Sequence, residues 1–166
     1  MFKRPKPIKP KAGQESVWDY PRPPIIQPSD KKIRIVFGNE VIAESTNAKR
    51  VLETSHPPAY YLPREDVQMQ FFSSSTRESF CEFKGRAAYW TISVGEHEAQ
   101  NAAWNYPDPS SRFAAIKDHI AVYPSLMDAC YVDNELVQAQ AGDFYGGWIT
   151  RDIVGPFKGE AGTQGW

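Results

Sequence analysis

The stretch FCEFKGRAAYWTISV, which spans Phe80–Val94, predicts a β-hairpin from which the rest of the fold can be placed. Its second half alternates between apolar and more polar side chains, the period of two that is typical of a strand with one buried face. The turn is expected at Gly85, because glycine adopts the positive φ angles that tight turns require. The apolar face carries Ala88, Trp90, Ile92 and Val94. Glu82, Lys84 and Tyr89 are expected together on the opposite face.

Other short strands lie before and after this hairpin, each bounded by turn residues such as Gly38-Asn39 and Asp133-Asn134. They are predicted at Ile33–Phe37, Val41–Glu44, Ala48–Glu53 (which would also suit a helical turn), Tyr60–Leu62, Val67–Phe72, His97–Trp104, Met127–Val132 and Glu135–Gln138. One short helix is predicted near residues 111–121, after a capping serine. The fold class is therefore mainly β, a single antiparallel, barrel-like domain with one short helix.

The length and the distribution of residue types predict one domain with short tails. A chain of 166 residues is long enough to bury a real core. Residues 1–12 are basic and proline-spaced, so they are predicted to be a disordered tail. Residues 13–160 form one β-rich domain that includes an N-terminal arm, and residues 161–166 form a C-terminal tail. Within the arm, Trp18 is expected to dock on the domain, because its large ring would otherwise be exposed to water.

The net charge of −1 gives no overall field that would attract nucleic acid or an anionic membrane surface, so neither is expected as a partner. No apolar run approaches the ~18 residues needed to span a bilayer. The start of the chain resembles neither a signal peptide nor a transit helix. Cys81 and Cys130 both lie in apolar contexts, which predicts reduced, buried thiols and a cytoplasmic location. The sequence leaves the oligomeric state open.

The chain lacks the spacing of the common catalytic and metal-binding motifs. It has no Cys-x-x-Cys pair and no two histidines within five residues of each other, so no zinc is expected and the cofactor is left unknown. Asp128 and Asp133 lie five residues apart, which would place them on opposite faces of one strand and is a weak basis for two-metal nucleotidyl transfer. Cys81 is interpreted as an inert thiol on the apolar face with Phe83, in preference to a nucleophile activated by His56.

A group of polar and aromatic residues remains as the candidate site. Glu53 and Glu82 are the candidate catalytic residues, because a carboxylate can act as a general acid or base. The candidate ligand-binding residues are Arg50, His56, Tyr60, Lys84, Tyr89, Trp104 and Tyr106. Arg50 and Lys84 would hold an anion, and the aromatic rings would supply flat walls. Surface ion pairs and core aromatics explain the same residues equally well at this level.

Five segments of the sequence resemble one known family. They are GQESVWDYPRPP, VLETSHPPAYYLPRED, CEFKGRAAYW, NAAWNYPDP and YGGWITRDIVGPFKG. The family is Domain of Unknown Function 427, and the resemblance extends from Gly13 to Gly159. Its database name implies nucleotidyl transfer. Its fold is similar to the β-tent of methionine sulfoxide reductase B and of the ligand-binding domain of cereblon, so a pocket between angled antiparallel sheets is implied. The paired cysteines that hold zinc in many β-tent proteins are absent from this sequence.

Three functions are compatible with these observations. The leading hypothesis is a protein that binds a small polar or ring-bearing molecule near residues 53–60, 82–89 and 104–106. The first alternative is an enzyme, a hydrolase or transferase, that uses the same pocket with Glu53 or Glu82 as general base. The second alternative is a protein-interaction module whose aromatic residues serve only the core.

Overall fold

A computed structural model describes residues 4–142 and 144–166 and shows a mainly β protein, as the sequence predicts. Its strands are β1 (Glu15–Ser16), β2 (Ile25–Pro28), β3 (Ile33–Phe37), β4 (Glu40–Ser45), β5 (Lys49–Leu52), β6 (Ala59–Tyr61), β7 (Phe72–Cys81), β8 (Gly85–Val94), β9 (His97–Asn105), β10 (Ala121–Val122), β11 (Ala129–Val132), β12 (Glu135–Leu136), β13 (Gln138–Ala139), β14 (Trp148–Ile149) and β15 (Ile153–Val154). Short 3-10 helices lie at Val17–Asp19, Arg64–Asp66, Met69–Phe71, Ser111–Ile116 and Pro124–Leu126.

The strands form three main sheets and two small pairs. The central sheet has the order β10-β9-β8-β7, the second sheet β12-β11-β3-β4, and the third sheet β2-β5-β6. Neighbouring strands in all three are antiparallel, and the described residues form no closed barrel. The small pairs are β13 with β14, which is antiparallel, and β1 with β15, which is parallel. No helix in the described part of the chain is long and apolar enough to cross a membrane.

The predicted hairpin is present as β7 and β8, but its turn lies two positions earlier than expected. Cys81 pairs with Gly85, so the turn consists of residues 82–84 and Gly85 begins the returning strand with φ +108°. The predicted polar loop at residues 73–75 is part of β7, where Ser73 pairs with Thr91. Its serines are tolerated in a strand because much of β7 is exposed.

Two other predicted elements differ from the structure. Residues 67–72 were expected as a strand, but Met69–Phe71 form a 3-10 helix and β7 begins at Phe72. The predicted helix near residues 111–121 is present as a 3-10 segment, Ser111–Ile116, that is kinked at Phe113. It is shorter than expected because Phe113 already departs from helical angles (φ −109°, ψ 17°) and Asp118 adopts φ +56°.

The interior contains two main groups of buried side chains, and several strands contribute to both. The aliphatic core lies between the central and second sheets and includes Ile33, Ile35, Ile42, Leu62, Ile92, Val94, Ile120 and Val122. The phenol-rich cluster lies between the central and third sheets and includes Val51, Tyr61, Ala87, Tyr89, Trp104, Tyr106, Phe113, Ile116, Ala121 and Tyr123. In β10, Ala121 belongs to the phenol-rich cluster and Val122 to the aliphatic core. Such strands are buried on both faces, so their sequences do not alternate.

The N-terminal arm is attached to the domain at several points. Ile8, in the predicted tail before the arm, donates a 2.9 Å hydrogen bond from its backbone nitrogen to the carbonyl of Gly155, and within the arm β1 pairs with β15. Trp18 docks as predicted, since its Nε1 donates a 2.9 Å hydrogen bond to the carbonyl of Pro156. Its ring also packs 5.6 Å from the ring of Trp166. Residues 1–3 of the predicted disordered tail lie outside the described residues.

Candidate functional site

A cavity of about 340 Å³ opens beside the phenol-rich cluster. The third sheet contributes Val51 and Tyr61, and the central sheet contributes Tyr89 and Trp104. Strands β6 and β7 add Ala59, Ser79, Phe80 and Cys81. Further lining comes from the loops after β5, β7, β9, β10 and β13 and from residues near the C-terminus: Glu53, His56, Lys84, Tyr106, Tyr123, Gln140, Tyr145 and Lys158 among them. Elements far apart in sequence therefore form one concave site, the usual setting of a ligand pocket.

Lys84 is the most unusual side chain of the cavity wall. It ends the turn between β7 and β8, and only 8% of its surface is exposed. Its Nζ donates a 3.4 Å hydrogen bond to Sγ of Cys81 and lies 5.8 Å from the ring centres of Tyr106 and Phe113. Among the described residues, no carboxylate oxygen lies within 4.0 Å of Nζ. A buried ammonium group without an ionic partner is the kind of group that an anion would stabilise.

The ionisation of Lys84 follows from its neighbours. Burial acts to lower its pKa, but Tyr61, Cys81 and the carboxylate of Glu53 outweigh burial and raise the pKa above its usual value. The ammonium group is therefore charged at neutral pH.

The phenol hydroxyls form the polar part of an otherwise aromatic wall. Nε1 of Trp104 donates a 3.1 Å hydrogen bond to the hydroxyl of Tyr61, and the hydroxyl of Tyr89 lies 2.9 Å from Oγ of Ser79. Burial raises the pKa of Tyr61, Tyr106 and Tyr123, so these phenols are neutral at physiological pH. A neutral phenol both donates and accepts a hydrogen bond, which suits a polar ligand.

Gln140 fixes the orientation of His56 at one side of the cavity. Its Oε1 accepts a 3.1 Å hydrogen bond from the backbone of Gly147, so its Nε2 is the donor to the carbonyl of Lys158 at 2.7 Å and to Nδ1 of His56 at 3.2 Å. Because Nδ1 accepts, the proton of the imidazole is assigned to Nε2. Nε2 points towards Oε2 of Glu53, 3.7 Å away.

His56 is neutral despite this nearby carboxylate. Burial, together with the positive charges of Lys158, Arg22 and Lys84, lowers its pKa to about 3. Glu53 instead pairs with Arg22, whose Nε lies 3.3 Å from its Oε2. The charged side chains that line the cavity are therefore Lys84, Lys158 and Glu53, and the carboxylate is already paired. The cavity has an excess of positive charge.

Aromatic side chains also lie at the mouth of the cavity. Phe80 and Phe144 line it while exposing 76% and 60% of their surfaces. Tyr145 stands 5.3 Å from the ring of His56, and Nζ of Lys158 lies 5.8 Å from the ring of Tyr145. Exposed phenylalanines beside an opening can cover the flat face of a bound ring.

The structure brings six of the nine predicted site residues to this cavity: Glu53, His56, Lys84, Tyr89, Trp104 and Tyr106. The other three lie elsewhere, and the predicted pocket is corrected accordingly. Arg50 points away from Val51 and bonds to Oε1 of Glu15 at 2.6 Å, because successive residues of β5 face opposite sides. Tyr60 packs against Trp148, with ring centres 4.9 Å apart. Glu82 is exposed in the turn and does not line the cavity.

The sequence interpretation missed several residues that line the cavity. Cys81 was expected to be a buried, inert thiol, but it is half-buried at the cavity wall. Tyr61 was overlooked although it neighbours Tyr60, whose side chain faces the other way. Gln140 and Lys158 lie in segments without periodicity, so no pattern marked them. The only signal for the cavity in these segments was that Gln140, whose amide can both donate and accept hydrogen bonds, lies near two glycines in the sequence.

Acidic and sulfur-bearing residues do not assemble into a metal centre in the part of the chain that the structure describes, where no group of three or more His, Cys, Asp or Glu side chains could hold an ion. Asp128 and Asp133 have structural roles. Their carboxylates accept hydrogen bonds from the backbone nitrogens of Asn39, at 3.3 Å, and Lys32, at 2.8 Å.

The fold and the cavity define a mainly β domain with a cationic, aromatic-walled pocket. The chain belongs to the family described as Domain of unknown function (DUF427), whose model matches residues 25–133. The match includes Cys81, Lys84 and the tyrosines of the phenol-rich cluster, whereas Gln140, Tyr145 and Lys158 lie beyond it. No curated protein matches the chain.

Proposed function

We propose that this protein binds a small molecule that carries an anionic group and a flat ring. The observation that carries the proposal is Lys84, a charged and nearly buried ammonium group that lines a cavity without a carboxylate within 4.0 Å among the described residues. Its one hydrogen-bond partner there is a thiol. An anion entering the cavity would supply the missing partner.

The energetics support an anionic ligand. Removing a charge from water is costly unless an opposite charge or several hydrogen bonds replace the lost hydration. The neighbouring phenols are neutral, and Glu53 is occupied by Arg22. A carboxylate or phosphate oxygen near Lys84 would therefore gain a charge-assisted hydrogen bond, which is stronger than a neutral one.

The walls support a ring-bearing ligand. Trp104, Tyr106 and Tyr89 line the interior, and Phe80 and Phe144 flank the mouth. Aromatic rings prefer offset or edge-to-face contact with other rings. A volume of about 340 Å³ is at the lower end of ligand pockets, which span about 300–1,000 Å³. The ligand is accordingly the size of a substituted single or double ring.

The architecture and location complete the proposal. The β-tent implied by the family resemblance places a ligand between angled sheets, and the cavity here is lined from both the central and the third sheet. A cytoplasmic location is supported by Cys81 and Cys130, which are both free thiols.

The two alternative functions have less support. The exposed Glu82 does not reach the cavity, Glu53 is held by Arg22, and a protein-interaction module would not need a buried cation beside an open cavity.

The test is a thermal-shift and calorimetric comparison of three matched compounds: benzoate, phenyl phosphate and neutral benzamide. A ligand that binds only the folded protein stabilises it by about 2.7 kcal/mol at a hundred times its Kd. We expect benzoate or phenyl phosphate to raise the Tm and benzamide to have little effect. Lys84→Met should abolish the increase, because it removes the ammonium group that would pair with the anion.

The control is Lys117→Met, which removes an exposed lysine outside the cavity. It changes the net charge of the protein by the same amount as Lys84→Met. The Lys117→Met protein should bind the anionic compounds with the affinity of the unmodified protein. The proposal fails if the Lys84→Met protein retains full affinity for the anion, or if benzamide binds as tightly as benzoate.

A further inference from the structure

We propose that Cys81 is the reactive nucleophile of this cavity and that it attacks a small carboxylate at an electrophilic carbon next to the carboxylate group. Lys84 would hold the anionic group and bring that carbon to Sγ. The inference rests on the proposed function in one respect, the binding of an anion by Lys84. It adds a covalent activity that binding does not require.

The position of Cys81 supports this role. It is the last residue of β7, lines the cavity and is half-buried, so a small molecule in the cavity can reach its sulfur. Nζ of Lys84 donates a hydrogen bond to Sγ at 3.4 Å. The ammonium group therefore stands beside the sulfur, and the thiolate is the form of cysteine that attacks electrophiles.

Lys84 provides the second, independent observation. It is more than nine-tenths buried, lines the same cavity and has three N–H donors, of which the thiol accepts one. The remaining donors are available to a carboxylate. Because the same ammonium group contacts Sγ, a carboxylate bound to it lies next to the sulfur. An electrophilic carbon one bond from the carboxylate is then within reach of attack.

Cys130 shows what an unreactive thiol looks like in the same chain. It is 2% exposed in the aliphatic core, and burial strongly raises its pKa. It does not line the cavity. The two cysteines therefore form an internal comparison, in which only Cys81 has access and a neighbouring cation.

The chemical step is a substitution at carbon. The thiol proton is lost to solvent through the open mouth, and the sulfur electron pair forms a bond to the carbon next to the carboxylate. The bond from that carbon to its leaving group breaks, and the leaving group departs with the bonding pair. The product is a thioether, and no oxidant or reductant is needed.

The experiment compares iodoacetate with neutral iodoacetamide, followed by intact mass measurement and peptide mapping. Each reagent forms a thioether and releases iodide, but only iodoacetate carries a carboxylate. We expect Cys81 and not Cys130 to be alkylated in the folded protein. For Cys81, the rate of alkylation by iodoacetate divided by the rate by iodoacetamide should be at least ten times the same ratio measured for the thiol of glutathione. In Lys84→Met the ratio should fall to the glutathione value, whereas Lys117→Met should keep it.

The outcomes separate this inference from the proposed function. Failure of both reagents to alkylate Cys81 would overturn the inference, as would alkylation at a glutathione-like ratio. If either outcome occurs while benzoate still binds and Lys84→Met abolishes that binding, the proposed function stands and only the role of Cys81 as a nucleophile is rejected. Cys81→Ser serves as the labelling control. It should remove the alkylation, which assigns the modified residue to Cys81.

Discussion

The aliphatic core and the phenol-rich cluster are built partly from the same strands, yet they differ in what they can do. The aliphatic core is dominated by isoleucine, valine and leucine, and residues such as Ile42 and Ile92 have no exposed surface. The phenol-rich cluster contains Tyr61, Tyr89, Tyr106 and Tyr123 and borders the cavity. Branched aliphatic side chains fill space at the density of an organic crystal. Large rings with hydroxyl groups leave gaps and supply hydrogen bonds, so the cavity lies beside the phenol-rich cluster and not in the aliphatic core.

This contrast shows how one domain can separate stability from function. Substitutions in the aliphatic core should change the free energy of unfolding without changing the cavity. Substitutions at the cavity should cost less stability than those in the aliphatic core, and some should also change binding or pH dependence. The four predictions below test this separation, in order of decreasing effect.

The largest expected effect is the loss of stability in Ile92→Ala. Ile92 is fully buried in the aliphatic core, and truncating such a side chain costs about 2–5 kcal/mol through lost burial and a residual cavity. Urea denaturation measures the change. The control Val41→Ala alters a side chain that is 41% exposed on β4 and should stay within about 0.5 kcal/mol of the unmodified protein. A loss of benzoate affinity in folded Ile92→Ala would show that the two regions are coupled.

The second prediction concerns the close approach of Gly146 to Trp104. A Cβ atom at Gly146 would overlap with Cη2 of Trp104, so Gly146→Ala forces the indole or the loop to move. Such overpacking costs typically about 1–3 kcal/mol. In the double variant with Trp104→Phe, the smaller ring relieves the clash. In a double-mutant cycle, the double variant should therefore lose less free energy of unfolding than the sum of the losses in Gly146→Ala and Trp104→Phe. Losses that add strictly would contradict a close contact between Gly146 and Trp104.

The third prediction is a change in the pH dependence of stability. The pKa of His56 is about 3 in the folded protein and 6.5 in its ordinary state. Above pH 6.5 both states are neutral and His56 makes no contribution. As the pH falls from 6.5 to about 3, the unfolded state takes up a proton that the folded state does not, so stability falls by at most ~1.4 kcal/mol per pH unit.

His56→Gln should remove this contribution while keeping an acceptor for Gln140. Its stability should therefore decline less than that of the unmodified protein between pH 6.5 and 4, as measured by urea denaturation at each pH. His97→Gln, at an exposed position, is the control. Parallel pH profiles for the His56→Gln and unmodified proteins would argue against a neutral His56.

The smallest effect is expected for Tyr89→Phe. The ring stays in place in the phenol-rich cluster, but its hydroxyl no longer contacts Oγ of Ser79 at 2.9 Å. A single partly buried hydrogen bond contributes about 0.5–1.5 kcal/mol to stability. Ser79→Ala should cost a similar amount, and the double variant should cost little more than either. Additive losses would show that the two hydroxyls have separate partners.

The sequence predicts the hairpins well where turn chemistry is strong. Gly38 and Asn39 adopt φ values of +59° and +63°, and Asp133 and Asn134 adopt +47° and +68°, so both turns lie where residues that tolerate positive φ occur together. The fold class and the family follow from the same local signals. Lys84 was a candidate because it was expected to share one face of a strand with Glu82 and Tyr89. In the structure Lys84 lies in the turn and is buried at the cavity wall, whereas Glu82 is exposed.

Alternation failed where strands are buried on both sides. Tyr89 was expected on the polar face, but it is 3% exposed, as the inward residues change from Ala87 and Tyr89 to Ile92 and Val94 along β8. The register of β8 against β9 shifts between Trp90 and Ile92. No single-strand pattern reveals such a shift, because it depends on the partner strand. Arg50 and Tyr60 were misplaced for the same reason, since each lies beside a residue that faces the cavity.

The pairing of β1 with β15 has a consequence for the order in which the protein can assemble during its synthesis. Glu15 pairs with Ile153, so the arm has no partner strand until residue 153 has left the ribosome. Until then, Val17 and Tyr20 lack the apolar contact with Ile153 that buries part of their surface in the folded protein. The first strand of the chain is therefore among the last to be completed, and a nascent chain must keep its N-terminal arm from unwanted contacts throughout elongation.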